Sequence, residues 1–281
     1  MDKILFIGGG QMTEAIIRPL IAKKIYSANN IFVNDINDSR LHYLQNMYNI
    51  KPTKQIKANA DIIVLGVRPQ DQWAQVIKKL KPENKNTIII SIIAGVTISQ
   101  IKQSLTVDIP VIRAIPNTLT DTEFGYSGVA TNTQDQSVVK KYLVIKFFSS
   151  FGKLELLDES LLDIFTGYAV AGPNYIYYFY ESIVDAGVLA GLHRDLAKRI
   201  AIENLYGAAE MLRLSKKHPR ELLDINNSPA GVGINGLYEL NNSDFAAALQ
   251  RSVQTAVKRT IELGQINKHK PPMPTQKPTN E

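Results

Sequence analysis

The chain has 281 residues, 44% hydrophobic and 21% charged, the proportions of a globular protein with room for two domains. It contains no cysteine, which excludes disulfides, thiolate metal sites and cysteine nucleophiles and accords with a reducing, cytoplasmic setting. The net charge of +6 comes from dispersed lysines, and the densest basic group (Arg213, Lys216, Lys217, Arg220) falls at a predicted helix end, where cations suit the helix dipole, so nucleic acid is not expected as a partner.

Taken in chain order, the first half alternates short β-rich runs with helical periods. Lys3 to Ile7 is an apolar strand, and Gln11 to Lys23 a helix with Met12, Ala15, Ile16 and Leu20 on one face, kinked or shortened by Pro19. Ile31 to Asn34 is a second strand. Asp38 to Tyr48 is a helix capped near Asn37 or Asp38, with Leu41, Leu44 and Tyr48 inward. Asp61 to Val67, Thr87 to Ile93 and Pro110 to Ile115 are continuously apolar, as strands covered on both faces are. This predicts an α/β Rossmann domain, a doubly wound and mostly parallel sheet, over residues 1–157. Residues 158–267 read as all-helical, broken at Gly172-Pro173, Gly191 to His193, His218-Pro219 and Ser228-Pro229. Tyr175 to Ala190 is apolar around most of its circumference, which predicts a bundle centre or a surface covered by a partner chain. Residues 268–281, with four prolines and little apolar content, read as a disordered tail. No secretory leader is expected, and no apolar run reaches the roughly 18 residues of a membrane span.

The first strand leads into Gly8-Gly9-Gly10-Gln11-Met12-Thr13. In the pattern G-x-G-x-x-G the glycines allow a tight turn, close approach of a pyrophosphate and close helix packing; Thr13 replaces the third. Free N–H groups at the helix start then hold phosphate. Asp35, ending the second strand, is placed to accept hydrogen bonds from an adenosine ribose and to repel a 2′-phosphate, which favours NAD(H). Asn34 and Arg40 would serve a 2′-phosphate if Asp35 turned away, and Asp35 alternatively serves as a turn or cap residue.

Further segments add a family resemblance: Ala60-Asp61 through Val67-Arg68-Pro69, Ser91 through Thr97, and Ile112-Arg113-Ala114-Ile115-Pro116-Asn117-Thr118. The second half contributes Thr166-Gly167, Ala171 to Tyr175, Asp185 to Gly187, Gly207 to Ala209 and Ser228 to Gly231. In order and spacing the chain resembles pyrroline-5-carboxylate reductases from about residue 3 to 265. The resemblance implies NAD(P)H-dependent reduction of a cyclic C=N bond to give proline. It also implies a helical domain that interlocks with its mate in a homodimer, with further assembly in many members. By the same resemblance Gly8, Gly10, Gln11 and Met12 would hold the phosphates of NADP(H) or NAD(H), and Asn34 and Asp35 would face the ribose. Val67, Arg68, Pro69, Ala94, Gly95 and Asn117 would line the route to the nicotinamide. The turn Ser228 to Gly233, with Ser228, Gly231, Val232 and Gly233, would bind the substrate carboxylate, as a helix start suits an anion.

The chain departs from the family pattern in places. The family usually reads S-G-S-G-P-A-Y where this chain has Ala169-Val170-Ala171-Gly172-Pro173-Asn174-Tyr175, and S-P-G-G-x-T where it has Ser228-Pro229-Ala230-Gly231-Val232-Gly233. Arg68 replaces the usual lysine, and Leu119 a proline. These changes fall on the substrate side, so reduction of another cyclic imine, or a regulatory role with weak catalysis, stand as alternatives. A β-hydroxyacid dehydrogenase would need a lysine between Tyr175 and Leu189, and there is none. Glu181 and Asp185 share a helix face but form no metal site. His42, His193, His218 and His269 read as capping or exposed, and no catalytic residue is assigned. Imine reduction tolerates that, because an iminium carbon is already electrophilic and needs alignment more than a general base.

Overall fold

The computed structural model describes residues 3–56, 59–83, 86–122, 124–131 and 142–266. The expected tail from Lys268 lies outside them. Two compact units are present: one runs to Val170 and is taken up again from Thr255, and the other spans Ala171–Gln254. Helical periodicity puts the change of character at 157, one short helical stretch before the first of these divisions.

In the first unit the described residues form one sheet of eight strands: β1 (Ile4–Ile7), β2 (Ile31–Asn34), β3 (Lys51–Pro52), β4 (Ile62–Leu65), β5 (Ile88–Ser91), β6 (Val111–Pro116), β7 (Tyr126–Thr131) and β8 (Lys153–Leu156). Their spatial order is β3-β2-β1-β4-β5-β6-β7-β8. All neighbours are parallel except β6 and β7. The helices of this unit are α1 (Gln11–Ala22), α2 (Asp38–Tyr48), α3 (Trp73–Lys78), α4 (Ile98–Ser104), α5 (Tyr142–Ser149) and α6 (Leu162–Phe165). Alternation along β1 shows the layering: Ile4 and Phe6 enter one apolar core, and Leu5 and Ile7 the other. Both faces are therefore covered, as the unbroken apolar runs require. α2 begins and ends as its sequence predicts, with the Asn37 side chain accepting from the Arg40 N–H at 3.1 Å. α1 continues through Pro19 to Ala22.

A buried cation ties the sheet to the helical stretch after it. Arg113 on β6 is 1% exposed and donates to Asp163 on α6 at 2.5 Å. Glu159 lies 3.6 Å from the same guanidinium and also accepts from the Ile98 N–H that opens α4, at 2.7 Å. One carboxylate thus caps a helix and shares in neutralising a buried charge.

The second unit comprises α7 (Gly172–Leu189), α8 (Arg194–Ser215), α9 (Pro219–Asn226), α10 (Val232–Asn241) and the first part of α11 (Phe245–Gln265). The breaks fall at the glycines and prolines that predict them. Its buried apolar cluster is Val184, Ala197 and Ala201, where Gly187 lets α8 approach α7 closely. Large apolar side chains stay exposed, among them Tyr178, Leu189, Ile225 and Tyr238. Asp185 pairs with Arg194 at 2.9 Å, which accounts for one acid of the Glu181–Asp185 face. Among the described residues, no helix is long and apolar enough to cross a membrane.

Candidate functional site

In the first unit the cofactor candidates lie at or just beyond the carboxyl ends of strands, with Asn34 the last residue of β2. Gly8 to Met12 follow β1, Asp35 follows β2, Val67 to Pro69 follow β4, Ala94 and Gly95 follow β5, and Asn117 follows β6. Ligands bind at this edge of an open α/β sheet.

The glycines of the first turn have separate reasons to be glycine. Gly8 has φ +98°, and a Cβ on it would lie 2.7 Å from the Gly66 backbone, so the close approach of the β1 and β4 turns excludes a side chain. Gly10 has ordinary extended geometry, and a Cβ there would meet nothing within 4 Å. Nothing among the described residues requires glycine at position 10. The N–H groups of Gly10, Gln11 and Met12 have no partner among the described residues, whereas Gly8 and Gly9 donate to Asn34 O and Asp35 Oδ2 at 2.8 and 2.6 Å. Gln11 is exposed, and Met12 packs half-buried on the core.

Asp35 is held from two sides. Its Oδ2 accepts from Gly9 and its Oδ1 from the Asn37 N–H at 2.8 Å, leaving each oxygen further acceptor capacity. The turn role and the ribose-facing role are thus compatible. The Asn34 side chain donates to Thr53 O at 2.8 Å. Arg40 points at the glycine turn, with Nε donating to Gly9 O at 2.5 Å and Nη2 to Glu14 at 2.5 Å.

Glu14 is the residue that sequence reasoning missed. Periodicity makes it a polar surface position of α1, yet it is 3% exposed. It accepts from Tyr48 at 2.7 Å, Tyr43 at 3.1 Å and Arg40. Burial works against its charge, but the hydrogen bonds from Tyr48 and Arg40 outweigh burial and hold the carboxyl below the ordinary glutamate range. Its presence in a helix's first turn was the only available signal.

The remaining residues divide. Val67 packs half-buried against the second core, and Pro69 is half-buried. Arg68 is exposed and paired with Asp71 at 2.9 Å. Ala94 is half-buried. Gly95, at φ +74°, has a second duty: a Cβ on it would lie 2.4 Å from Thr260 O and 2.6 Å from Gly264 N, so close packing of the end of α11 requires glycine there. Asn117 is buried, accepting from the Leu119 and Tyr126 N–H groups at 3.2 and 3.1 Å and donating to Ala169 O at 3.4 Å.

In the second unit the turn before α10 closes through Gly231 N–H to Ser228 O at 3.0 Å. Ala230 adopts φ +57°, the left-handed region that disfavours a side chain. Gly231 is the N-cap, Val232 is exposed, and the N–H groups of Val232 and Gly233 have no partner among the described residues. Gly233 is helical, and a Cβ on it would lie 2.3 Å from Asn227 Oδ1.

Comparison with known proteins bears on both units. Residues 159–263 match the family model for pyrroline-5-carboxylate reductase dimerisation, and residues 3–95 match that for NADP oxidoreductase, coenzyme F420-dependent. A pyrroline-5-carboxylate reductase of Synechocystis sp. is 35% identical over 92% of this chain and 97% of its own length. Pyrroline-5-carboxylate reductase 1 of Bacillus subtilis is 34% identical over 94% and 90%. The crystal structure of Plasmodium falciparum pyrroline carboxylate reductase with NADP bound superposes with a TM-score of 0.83 at 28% identity, covering 94% of this chain and 98% of that one. The chain belongs to the pyrroline-5-carboxylate reductase family.

Proposed function

We propose that this protein reduces the C=N bond of pyrroline-5-carboxylate to give proline, using NADPH or NADH, and that it works as a homodimer. Gly10 carries the cofactor reading: among the described residues no contact demands a glycine there, and the first N–H groups of the helix it opens have no partner. The first turn would hold the pyrophosphate, Asn34 and Asp35 would lie at the ribose, and Val67 to Pro69, Ala94, Gly95 and Asn117 toward the nicotinamide. When bound, the cofactor supplies a hydride to the imine carbon; with one proton on nitrogen, the product is a secondary amine.

The chain's own residues then have to bind and align. The N–H groups of Val232 and Gly233 suit a carboxylate, supported by the partial positive charge of a helix start. No side-chain acid or base is required by this chemistry. The many large apolar side chains left exposed in the second unit support self-association, since so much apolar surface in water is costly. Light scattering should give a dimer or a larger assembly at micromolar concentration, and a stable monomer would contradict it.

The deciding experiment follows NADH and NADPH oxidation with pyrroline-5-carboxylate and with two or three other cyclic imines, identifying the product. Proline formation is expected. Turnover of another imine alone would move the substrate assignment, which the altered turn with Ala230 at positive φ makes the leading alternative. Dinucleotide binding without turnover of any imine would favour the regulatory alternative.

A further inference from the structure

A planar trans peptide fixes the direction of its N–H once its C=O is held, because the two point opposite ways. In the first turn the Gly9 carbonyl belongs to the same peptide as the Gly10 N–H, and the Gly10 carbonyl to the same peptide as the Gln11 N–H. Both carbonyls accept from one guanidinium: Arg40 Nε reaches Gly9 O at 2.5 Å and Nη2 reaches Gly10 O at 3.3 Å, where it reinforces the Glu14 N–H that donates to Gly10 O at 3.0 Å. The two N–H groups left pointing the other way have no partner among the described residues. Arg40 is itself oriented from behind. Its Nη2 donates to Glu14, which Tyr43 and Tyr48 also hold, and its guanidinium stacks over the Tyr43 ring at 5.0 Å.

We infer that Arg40, braced by the buried Glu14, is a positioning residue that aims the peptides of the glycine turn at the cofactor's pyrophosphate. The inference rests on the dinucleotide-binding reading of that turn. It also narrows what Arg40 could offer a 2′-phosphate to Nη1, since its Nε and Nη2 are committed to the turn and to Glu14. Glu14 has a matching electrostatic duty. An unpaired acid one helical turn below a phosphate would repel it, and the ion pairs with Arg40 and, at 3.5 Å, with Arg18 offset that field.

The test compares the unaltered protein with Arg40→Met and Arg40→Lys. For Arg40→Met the KM for NADH should rise about tenfold, as for loss of charge-assisted hydrogen bonds, while kcat and the KM for the imine stay within about twofold. Inhibition by ADP-ribose should weaken in parallel and inhibition by adenosine, which carries no phosphate, should not. Arg40→Lys keeps the charge but lacks the planar fork, and should recover part of the loss. A folded Arg40→Met protein with unchanged KM for NADH would overturn the inference, as would an equal weakening of adenosine and ADP-ribose. If Arg40→Met does not fold, Arg40→Lys decides: an increase of about threefold in KM for NADH supports the role, and none overturns it. Failure of the unaltered protein to bind either dinucleotide overturns the cofactor reading as well, so the two failures are distinguishable.

Discussion

Two turns, each opening a helix whose first N–H groups have no partner among the described residues, are built very differently. The turn Gly8 to Met12 is braced on every inward side: Asp35 takes the Gly9 N–H, Thr13 donates to Gly8 O at 2.6 Å, and Arg40 holds the next carbonyls. The turn Ser228 to Gly233 closes through its own backbone and the Asn235 amide, which donates to Ala230 and Gly231 carbonyls at 3.3 and 2.8 Å. It also holds an alanine in a conformation that favours glycine. One turn is made rigid by its neighbours, the other by its own strained backbone. Both present the same donors, so the difference lies in how each tolerates change.

The largest effect is expected where the braced turn meets its ligand. Gly10→Val places a side chain in the open space before α1 and should weaken NADH binding at least a hundredfold, about 2.7 kcal/mol, without unfolding the protein. Fluorescence titration checks this, and retained binding would show that the open space is not the phosphate site. Next comes Asp35. A carboxylate about 4 Å from a phosphate charge, at an effective dielectric near 20, repels it by about 4 kcal/mol before screening, of which about 1–2 should survive salt and solvent. The native protein should therefore prefer NADH over NADPH about tenfold in kcat/KM, and Asp35→Asn should erase most of that ratio. A native preference for NADPH would break the argument.

The self-closed turn should answer more mildly. Gly233→Thr adds a hydroxyl beside the proposed carboxylate position in a helical backbone that accepts it. The new Cβ displaces the Asn227 side chain, which donates to Leu223 O at 2.8 Å. The charged hydrogen bond gained should lower the KM for pyrroline-5-carboxylate by roughly tenfold, while the neutral bond lost at Asn227 weakens the fold and not the binding. A higher KM would mean that Asn227 cannot move aside. The smallest effect is Ala230→Gly, which removes a left-handed penalty of about 1–2 kcal/mol and adds about 0.5–1 of chain entropy cost. A rise in Tm worth about 0.5–1 kcal/mol is expected, and an unchanged Tm would show that the strain is absorbed elsewhere.

Much of this was legible in the sequence because it is local. The apolar runs of β1, β4, β5 and β6, the Asn37 cap and the glycine turn each follow from a few adjacent residues. β8 was not legible, since Lys153–Leu156 lies at the sheet edge largely exposed and has no apolar run to betray it. β7 carries Gly128 and pairs antiparallel, against the pattern of its neighbours. Glu14 gave no local sign of burial, and Arg113 sat in a run read as a covered strand with no partner for its charge; their distant partners on α2 and α6 are what offset the cost of burial. Gly95 looked like a cofactor glycine alone because its other constraint, Gly264, is far along the chain.

That last contact bears on how the protein is made. The first unit is discontinuous, and residues from Thr255 onward complete it. A Cβ on Gly264 would lie 1.9 Å from Gly95 O, so the seam is closed backbone against backbone, with Gln100 donating to Gly264 O at 3.3 Å. During synthesis the sheet emerges early, at about 5–20 residues per second, yet its surface around Gly95 stays bare until more than half the chain has followed. The nascent Rossmann body must therefore survive some seconds with a missing piece of its own wall. A chaperone that shields this surface, or a truncation that removes its cover, would act on birth of the protein before it acted on catalysis.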